Sequence, residues 1–432
     1  MSESSKSNQP TILLGAGAVI EIDAPSTTII TQQIIKPNQY ENYIAKDVFL
    51  RKTYFSVITR IYKHLKERYP IEPNFEHIFH VMEMLESYSW VWFGNSKNTE
   101  MFPVFAPFVV PKTNIVPLNE WGNLSSLIDQ CRIDIMGMIN KYDELYRKRK
   151  DDEYLWYNCF WNKFNGFDLF NLNYDTTIEQ SLQNYCDGFV ASDDSRFQKF
   201  DPKTLFDDEN RYKICHLHGC ILYYHQRYID NNYDVYEYKH HDMYKWSDFE
   251  KVKGLLQGSF GSNPSNQSGE MLHVGSIITG LRKTDKVTVM PYNYYHHYLN
   301  KAILNNRSLL IVGYSFGDLY INDLIERMNL LYGKEKRIVI ITRWQYDEID
   351  EGDGTVSRTF REKESNITNM NHYEYAFIQR MMHEDDFIRL LDKTIQEEGS
   401  YTSINGDVKL FVYGFKSAVE KHGAEIVEFL TN

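Results

Sequence analysis

Four apolar runs in this 432-residue chain stop at residues able to do chemistry. Phe167-Asp168-Leu169-Phe170-Asn171 runs into Leu172-Asn173-Tyr174-Asp175, and a helix is predicted to start at Thr176 or Thr177. Open α/β sheets place ligands where a strand hands over to a helix. An amide and a carboxylate gathered there could meet a ligand, or Asn173 or Asp175 could simply cap the helix. Lys213-Ile214-Cys215-His216-Leu217-His218-Gly219 is a second run into a glycine turn, and alternation puts His216 and His218 on one face. Such a pair could transfer protons, bind metal or make ordinary hydrogen bonds in a turn. Zinc would need a third and a fourth ligand at diagnostic spacing, and none is present.

The other two junctions are built on glycine. Thr11-Ile12-Leu13-Leu14 stops at Gly15-Ala16-Gly17-Ala18, and Ser308-Leu309-Leu310-Ile311-Val312 stops at Gly313-Tyr314-Ser315-Phe316-Gly317-Asp318. Backbone N–H groups can approach a pyrophosphate only where side chains are absent, so a strand ending in a glycine turn suits a nucleotide. The dinucleotide fingerprint G-x-G-x-x-G nevertheless fails, because Ile20 stands where its third glycine belongs.

The elements that must hold these junctions follow from periodicity. A helix is predicted after Ala24-Pro25-Ser26-Thr27-Thr28, running to about Gln33. Asn42 to Arg68, Asn74 to Tyr88 and Leu124 to Lys150 carry apolar residues at three- and four-residue spacing and are predicted as amphipathic helices, with an ordered proline-rich loop at Phe102 to Pro117. The charged run Arg147 to Glu153 is the expected solvated end of the last of these. Thr177 to Cys186 is predicted as a short helix, Val287 to Met290 as a strand and Tyr294 to Asn305 as a helix. A helix over Tyr320 to Tyr332 joins the strands Ser308–Val312 and Arg337–Ile341, an order that implies a parallel crossover. The tail is expected to add a helix at Phe387 to Glu398 and a strand-helix pair at Val408 to Phe415 and Ser417 to Leu430. The expected fold is α/β: a Rossmann-like parallel sheet with helices on both faces, a large mainly helical insertion at about 40–150, a tyrosine-rich insertion at about 222–290, and a small C-terminal α/β tail over 386–432.

Composition removes several classes of function. A net charge of −12 is unsuited to the phosphate backbone of nucleic acid, so direct binding to it is not expected. Cys131, Cys159, Cys186, Cys215 and Cys220 are odd in number and include no C-x-x-C pair, which disfavours a disulfide framework or a four-thiolate zinc site. The polar start, with no apolar run of membrane-spanning length, points to a cytoplasmic protein without a membrane partner. The 32 Tyr and 25 Phe, with more amphipathic helix than one sheet needs, point to a homo-oligomer assembled through 40–150 or the tyrosine-rich surface.

Taken together, Gly15-Ala16-Gly17, Leu172-Asn173-Tyr174-Asp175, Leu217-His218-Gly219 and Gly313-Tyr314-Ser315 with Asp318 resemble the sirtuin superfamily, and more closely its NAD hydrolases of bacterial anti-phage defence. The resemblance implies an NAD-binding domain over 11–385. Gly15, Ala16 and Gly17 would hold the pyrophosphate, and Asn173 would sit beside the nicotinamide ribose with Asp175 near the carboxamide. His218 would be the catalytic histidine, and Gly313, Ser315 and Asp318 would complete the site, with Thr342 and Arg343 as further candidates. The implied activity is cleavage of NAD to nicotinamide and ADP-ribose by a defence effector, with a HerA-type ATPase as candidate partner. Two features depart from the family: Val19 replaces a serine after the glycine turn, and Ser26-Thr27-Thr28 replaces Asp-Phe-Arg. The zinc ribbon of protein-deacylating sirtuins is also missing, so no zinc is expected. The alternatives are an inactive NAD- or ADP-ribose-binding subunit, a structural assembly protein and an NAD-dependent deacylase.

Overall fold

Alternation within the strands decides the architecture. In β1 (Thr11–Leu14), Leu13 packs into one core while Ile12 and Leu14 pack into another. The same division holds in β8 (Ser308–Val312), with Leu309 and Ile311 opposite Leu310 and Val312, and in β9 (Arg337–Ile341), with Ile338 and Ile340 opposite Val339 and Ile341. A strand buried on both faces belongs inside a parallel sheet covered by helices. The computed structural model describes residues 9–35, 48–69, 72–93, 124–193, 195–207, 211–225, 243–258, 275–281, 283–287, 289–344, 346–350, 356–360, 377–378, 380–381 and 399–432. Its main sheet has seven strands in the order β12-β13-β9-β8-β1-β2-β5, where β2 is Phe167–Asn171, β5 Tyr212–His216, β12 Ser400–Thr402 and β13 Val408–Phe411. Every pairing is parallel except that of β12 with β13. From β1 the chain steps outward to β2 and β5, then returns to β8 and β9 on the other side. The order therefore reverses between β1 and β8, and the carboxyl ends of both strands open on that point.

Helices cover both faces. Thr27–Ile35, Val48–Arg68, Phe75–Phe93, Leu124–Arg149, Tyr292–Asn305 and Leu319–Tyr332 bury their apolar stripes on the Leu13 side, through residues such as Ile58, Phe79 and Ile135. Leu155–Trp161 and Phe415–Thr431 close the other side with a cluster of edge-to-face rings around Phe415. Among the described residues, then, the apolar faces of the 40–150 helices are buried inside the chain.

Three elements differ from expectation. The helix after Asp175 stops at Ser181, because Leu182 turns extended and Cys186 bridges to Lys213 beside β5. Of the expected strand Val287 to Met290, the described residues 287, 289 and 290 lie in no strand: the Val287 N–H closes a helical turn on the Lys283 carbonyl, and Val289 is apolar because it is core. The tyrosine-rich segment contributes to a second, antiparallel sheet in the order β3-β4-β7-β6, with β3 Phe189–Ala191, β4 Phe197–Phe200, β6 Tyr223–His225 and β7 Met243–Trp246. A two-stranded ribbon, β10 (Tyr346–Asp350) with β11 (Val356–Phe360), follows β9. The C-terminal strands extend the main sheet directly, since β13 pairs with β9 in parallel. Phe102 to Pro117 and the expected helix at Phe387 to Glu398 lie outside the described residues. Among the described residues, no helix is long and apolar enough to cross a membrane.

Candidate active site

The two glycine turns lock onto each other. Gly15 N–H donates to the Val312 carbonyl and Gly17 N–H to the Gly313 carbonyl, each at 2.9 Å. A Cβ on Gly15 would stand 2.5 Å from Gly313 O, and one on Gly17 2.7 Å from Gly313 Cα. Gly313 itself has φ +60, and its added Cβ would fall 2.2 Å from Ala18 N. These glycines are thus required first by backbone-to-backbone packing at the switch point. The exposed tip of the turn is Ala16-Gly17.

Asn173 reaches the same point from the end of β2. Its backbone N–H is held by Asn171 Oδ1 at 2.9 Å, and its side-chain Nδ2 donates to the Gly15 carbonyl at 3.0 Å. His218 arrives from the turn after β5 and is 6% exposed. Its Nδ1 lies 3.2 Å from the Leu172 carbonyl, which can only accept, so the proton of the neutral ring sits on Nδ1 and the lone pair on Nε2. Nε2 has no hydrogen-bond partner and stands 3.9 Å from Asp318 Oδ2. Burial, then Lys283, push the imidazole below its ordinary pKa against the pull of Asp318 and Glu76. Burial works to raise Asp318, but His218, the Ile321 N–H and Lys283 take it down to about 2. The result is an ionised carboxylate facing a neutral imidazole with a free lone pair. Such a ring accepts a proton, and the carboxylate stabilises the cation that forms. The glycine after His218 has φ +89, and a Cβ there would meet Ser276 O at 2.1 Å, so the segment 275–281 closes directly over the histidine turn.

The remaining expected residues divide. Ser315 is half-buried between Gly313 and Asp318, and Asp318 also caps the helix Leu319–Tyr332 by accepting from Tyr320 and Ile321 N–H. Asp175 is 2% exposed, accepts from Thr177 N–H and Thr177 Oγ1, and so caps the short helix Thr177–Ser181. Burial raises its pKa, and its charged neighbours include Asp143, His216 and Glu179. Thr342 is buried at the end of β9, whereas Arg343 is exposed 4.0 Å from Glu21. His216 and His218 do not share a face: β5 ends at His216, alternation lapses, and His216 turns to Glu179.

Three residues of this neighbourhood carry no signal in the sequence. Glu76, on the first turn of Phe75–Phe93, is paired at 2.9 Å with Lys283, and both act electrostatically on His218. Buried His296 lies close enough that His218, after burial, helps push it down to about 4. Glu76 is far in the chain from the helices that carry Lys283 and His296, and no spacing rule joins the three. Among the described residues, no group of three or more His, Cys, Asp or Glu side chains could hold a metal ion.

Comparison with known proteins bears on part of the chain. No curated protein matches it. A solved structure described as "Structural Basis for the Mechanism and Regulation of Sir2 Enzymes" aligns over 85% of this chain and 93% of that one, at 10% identity and a TM-score of 0.27, a likeness too slight to argue from. Residues 168–370 match the family model described as SIR2-like domain. That span carries nearly all of β2 with β5, β8 and β9, and with them Asn173, His218, Gly313 and Asp318, while β1 and the Gly15–Gly17 turn lie outside it.

Proposed function

We propose that the chain is an NAD glycohydrolase. The observation that carries the proposal is the convergence of Asn173, His218 and Asp318 with the interlocked glycines at the reversal of strand order. In the proposed reaction the ribose–nicotinamide C–N bond breaks, and its electron pair neutralises the pyridinium nitrogen as nicotinamide leaves. Water forms the new C–O bond to the oxocarbenium-like carbon and yields ADP-ribose. Asn173, held by Gly15, orients that water; His218 Nε2 takes its proton, and Asp318 stabilises the imidazolium. Ala16-Gly17 and Gly313-Ser315 offer a wall for the pyrophosphate and adenosine, with Ala16 at its exposed tip. Asp175, enclosed and bonded to Thr177, serves the helix start rather than the carboxamide.

An enzyme that drains NAD must be held off until triggered, so we place this activity in a cytoplasmic defence effector controlled by self-association or by a partner such as a HerA-type ATPase. The net charge of −12 agrees with protein rather than nucleic-acid partners. The test is incubation of the purified chain with NAD, alone and beside candidate partners, with products resolved by chromatography. Equimolar nicotinamide and ADP-ribose are expected. NAD left intact under every condition would contradict the proposal, and consumption only with an acyl-lysine peptide would replace it with deacylation.

A further inference from the structure

Behind Asn173 lies a buried ion pair that the reaction above does not use. His216, 0% exposed at the end of β5, places Nε2 2.6 Å from Glu179 Oε1 and Nδ1 3.3 Å from the Asn173 carbonyl. Neither partner can donate when Glu179 is ionised, so the ring holds both only as the imidazolium. A buried ion pair is a poor source of stability compared with apolar side chains of similar volume, which points to a purpose other than packing. Its reach supplies one. Asn173 is fixed at its N–H by Asn171, at its carbonyl by His216 and at Nδ2 by Gly15, which leaves Oδ1 as its remaining polar atom.

We infer that the His216–Glu179 pair is a positioning device for Asn173, clamping its backbone so that Oδ1 stays turned toward the attacking water. The inference rests on the glycohydrolase reading of the site. Glu179 lies on the helix Thr177–Ser181 and Asp175 just before it; Lys245 approaches from β7 with its partner Asp187, and the Tyr223 ring of β6 meets the imidazole edge-on at 5.8 Å. Burial and Lys245 oppose a proton on His216, and Glu179 overrides them, so its pKa stands above the ordinary value. The clamp is therefore complete below that raised pKa and opens as pH rises through it.

The test uses the full chain with Glu179→Gln, which keeps size and hydrogen bonding but removes the charge. Nicotinamide release is expected to fall about tenfold to a hundredfold in kcat, with KM held within about threefold. The alkaline limb of kcat should move to lower pH, because His216 loses its proton earlier. Independently of turnover, amide deuterium exchange over 171–177 should quicken while β8 and β9 stay unchanged. His216→Gln should reproduce the loss of kcat and the faster exchange, and should abolish the alkaline limb, since the titrating imidazole is gone. If Glu179→Gln does not fold, the double variant Glu179→Gln/His216→Gln, a neutral hydrogen-bonded couple, takes its place. An unmoved alkaline limb, or unchanged exchange over 171–177, would overturn the inference. Absence of nicotinamide release by the unmodified chain would instead sink the glycohydrolase reading, and the exchange measurement would still decide whether the pair holds Asn173.

Discussion

His216 and His218 are separated by one residue at the end of β5, and their surroundings drive them in opposite directions. Glu179 at 2.6 Å holds a proton on His216, while burial and Lys283 keep His218 neutral. The first ring is fixed as a cation behind Asn173. The second is left with a free lone pair beside Asp318.

The pH profile should reflect that split. His218 must be neutral to accept a proton, and its pKa is lowered, so activity should rise with pH through a midpoint below the ordinary value of about 6.5. The acid limb of kcat/KM for nicotinamide release checks this. A midpoint above about 6.5 would mean that His218 is not the group titrating.

Asp318→Asn separates two roles of one residue. Asparagine caps a helix about as well as aspartate, so stability should change by less than about 1 kcal/mol. The charge facing His218 is lost, so kcat should drop by about tenfold or more with KM little changed. Parallel rate and thermal-melt measurements distinguish this from a purely structural residue, which would show the reverse.

Gly313→Ala should destabilise the chain by about 2 kcal/mol or more, since its φ of +60 is strained for alanine and the added Cβ would meet Ala18 N at 2.2 Å. Gly137 is the contrast. Within the helix Leu124–Arg149 a Cβ there meets nothing within 4 Å, so Gly137→Ala should stabilise by about 0.5–1 kcal/mol. Denaturant midpoints read both.

Asp407→Ala tests whether the C-terminal strands are integral to the sheet. Asp407 receives buried Lys336 and the Ser403 hydroxyl, joining the start of β9 to the turn before β13. Removing one partner of a buried pair costs about 3–5 kcal/mol, and a cooperative melt should shift accordingly. A change under about 1 kcal/mol would make the C-terminal segment an appendage.

The parallel strands were legible because both of their faces are buried, which leaves nearly continuous apolar runs ending in glycine or polar residues. That Asn173 and His218 stand at strand ends followed from the same pattern, whereas the pairing of β2 with β5 came only from the structure. Asp175 was not legible as a cap, since a carboxylate at a strand-to-helix junction has the same sequence signature whether it meets a ligand or the Thr177 N–H. The two histidines were placed on one face because strand alternation was carried two residues beyond His216, where the β5 ladder ends. The second sheet escaped because strands of three or four residues, such as Tyr223–His225, are too short to show a period. Glu76 and Lys283 meet only through the packing of the Phe75–Phe93 helix over the site, a relationship no local pattern encodes.

If His218 removes a proton from the water attacking NAD, binding and turnover should separate when NAD binding and nicotinamide release are measured in the unmodified chain and in His218→Ala. Affinities within about tenfold of each other are expected, with a loss of release of about a hundredfold to ten-thousandfold in the variant. Comparable release by both proteins would contradict that role of His218.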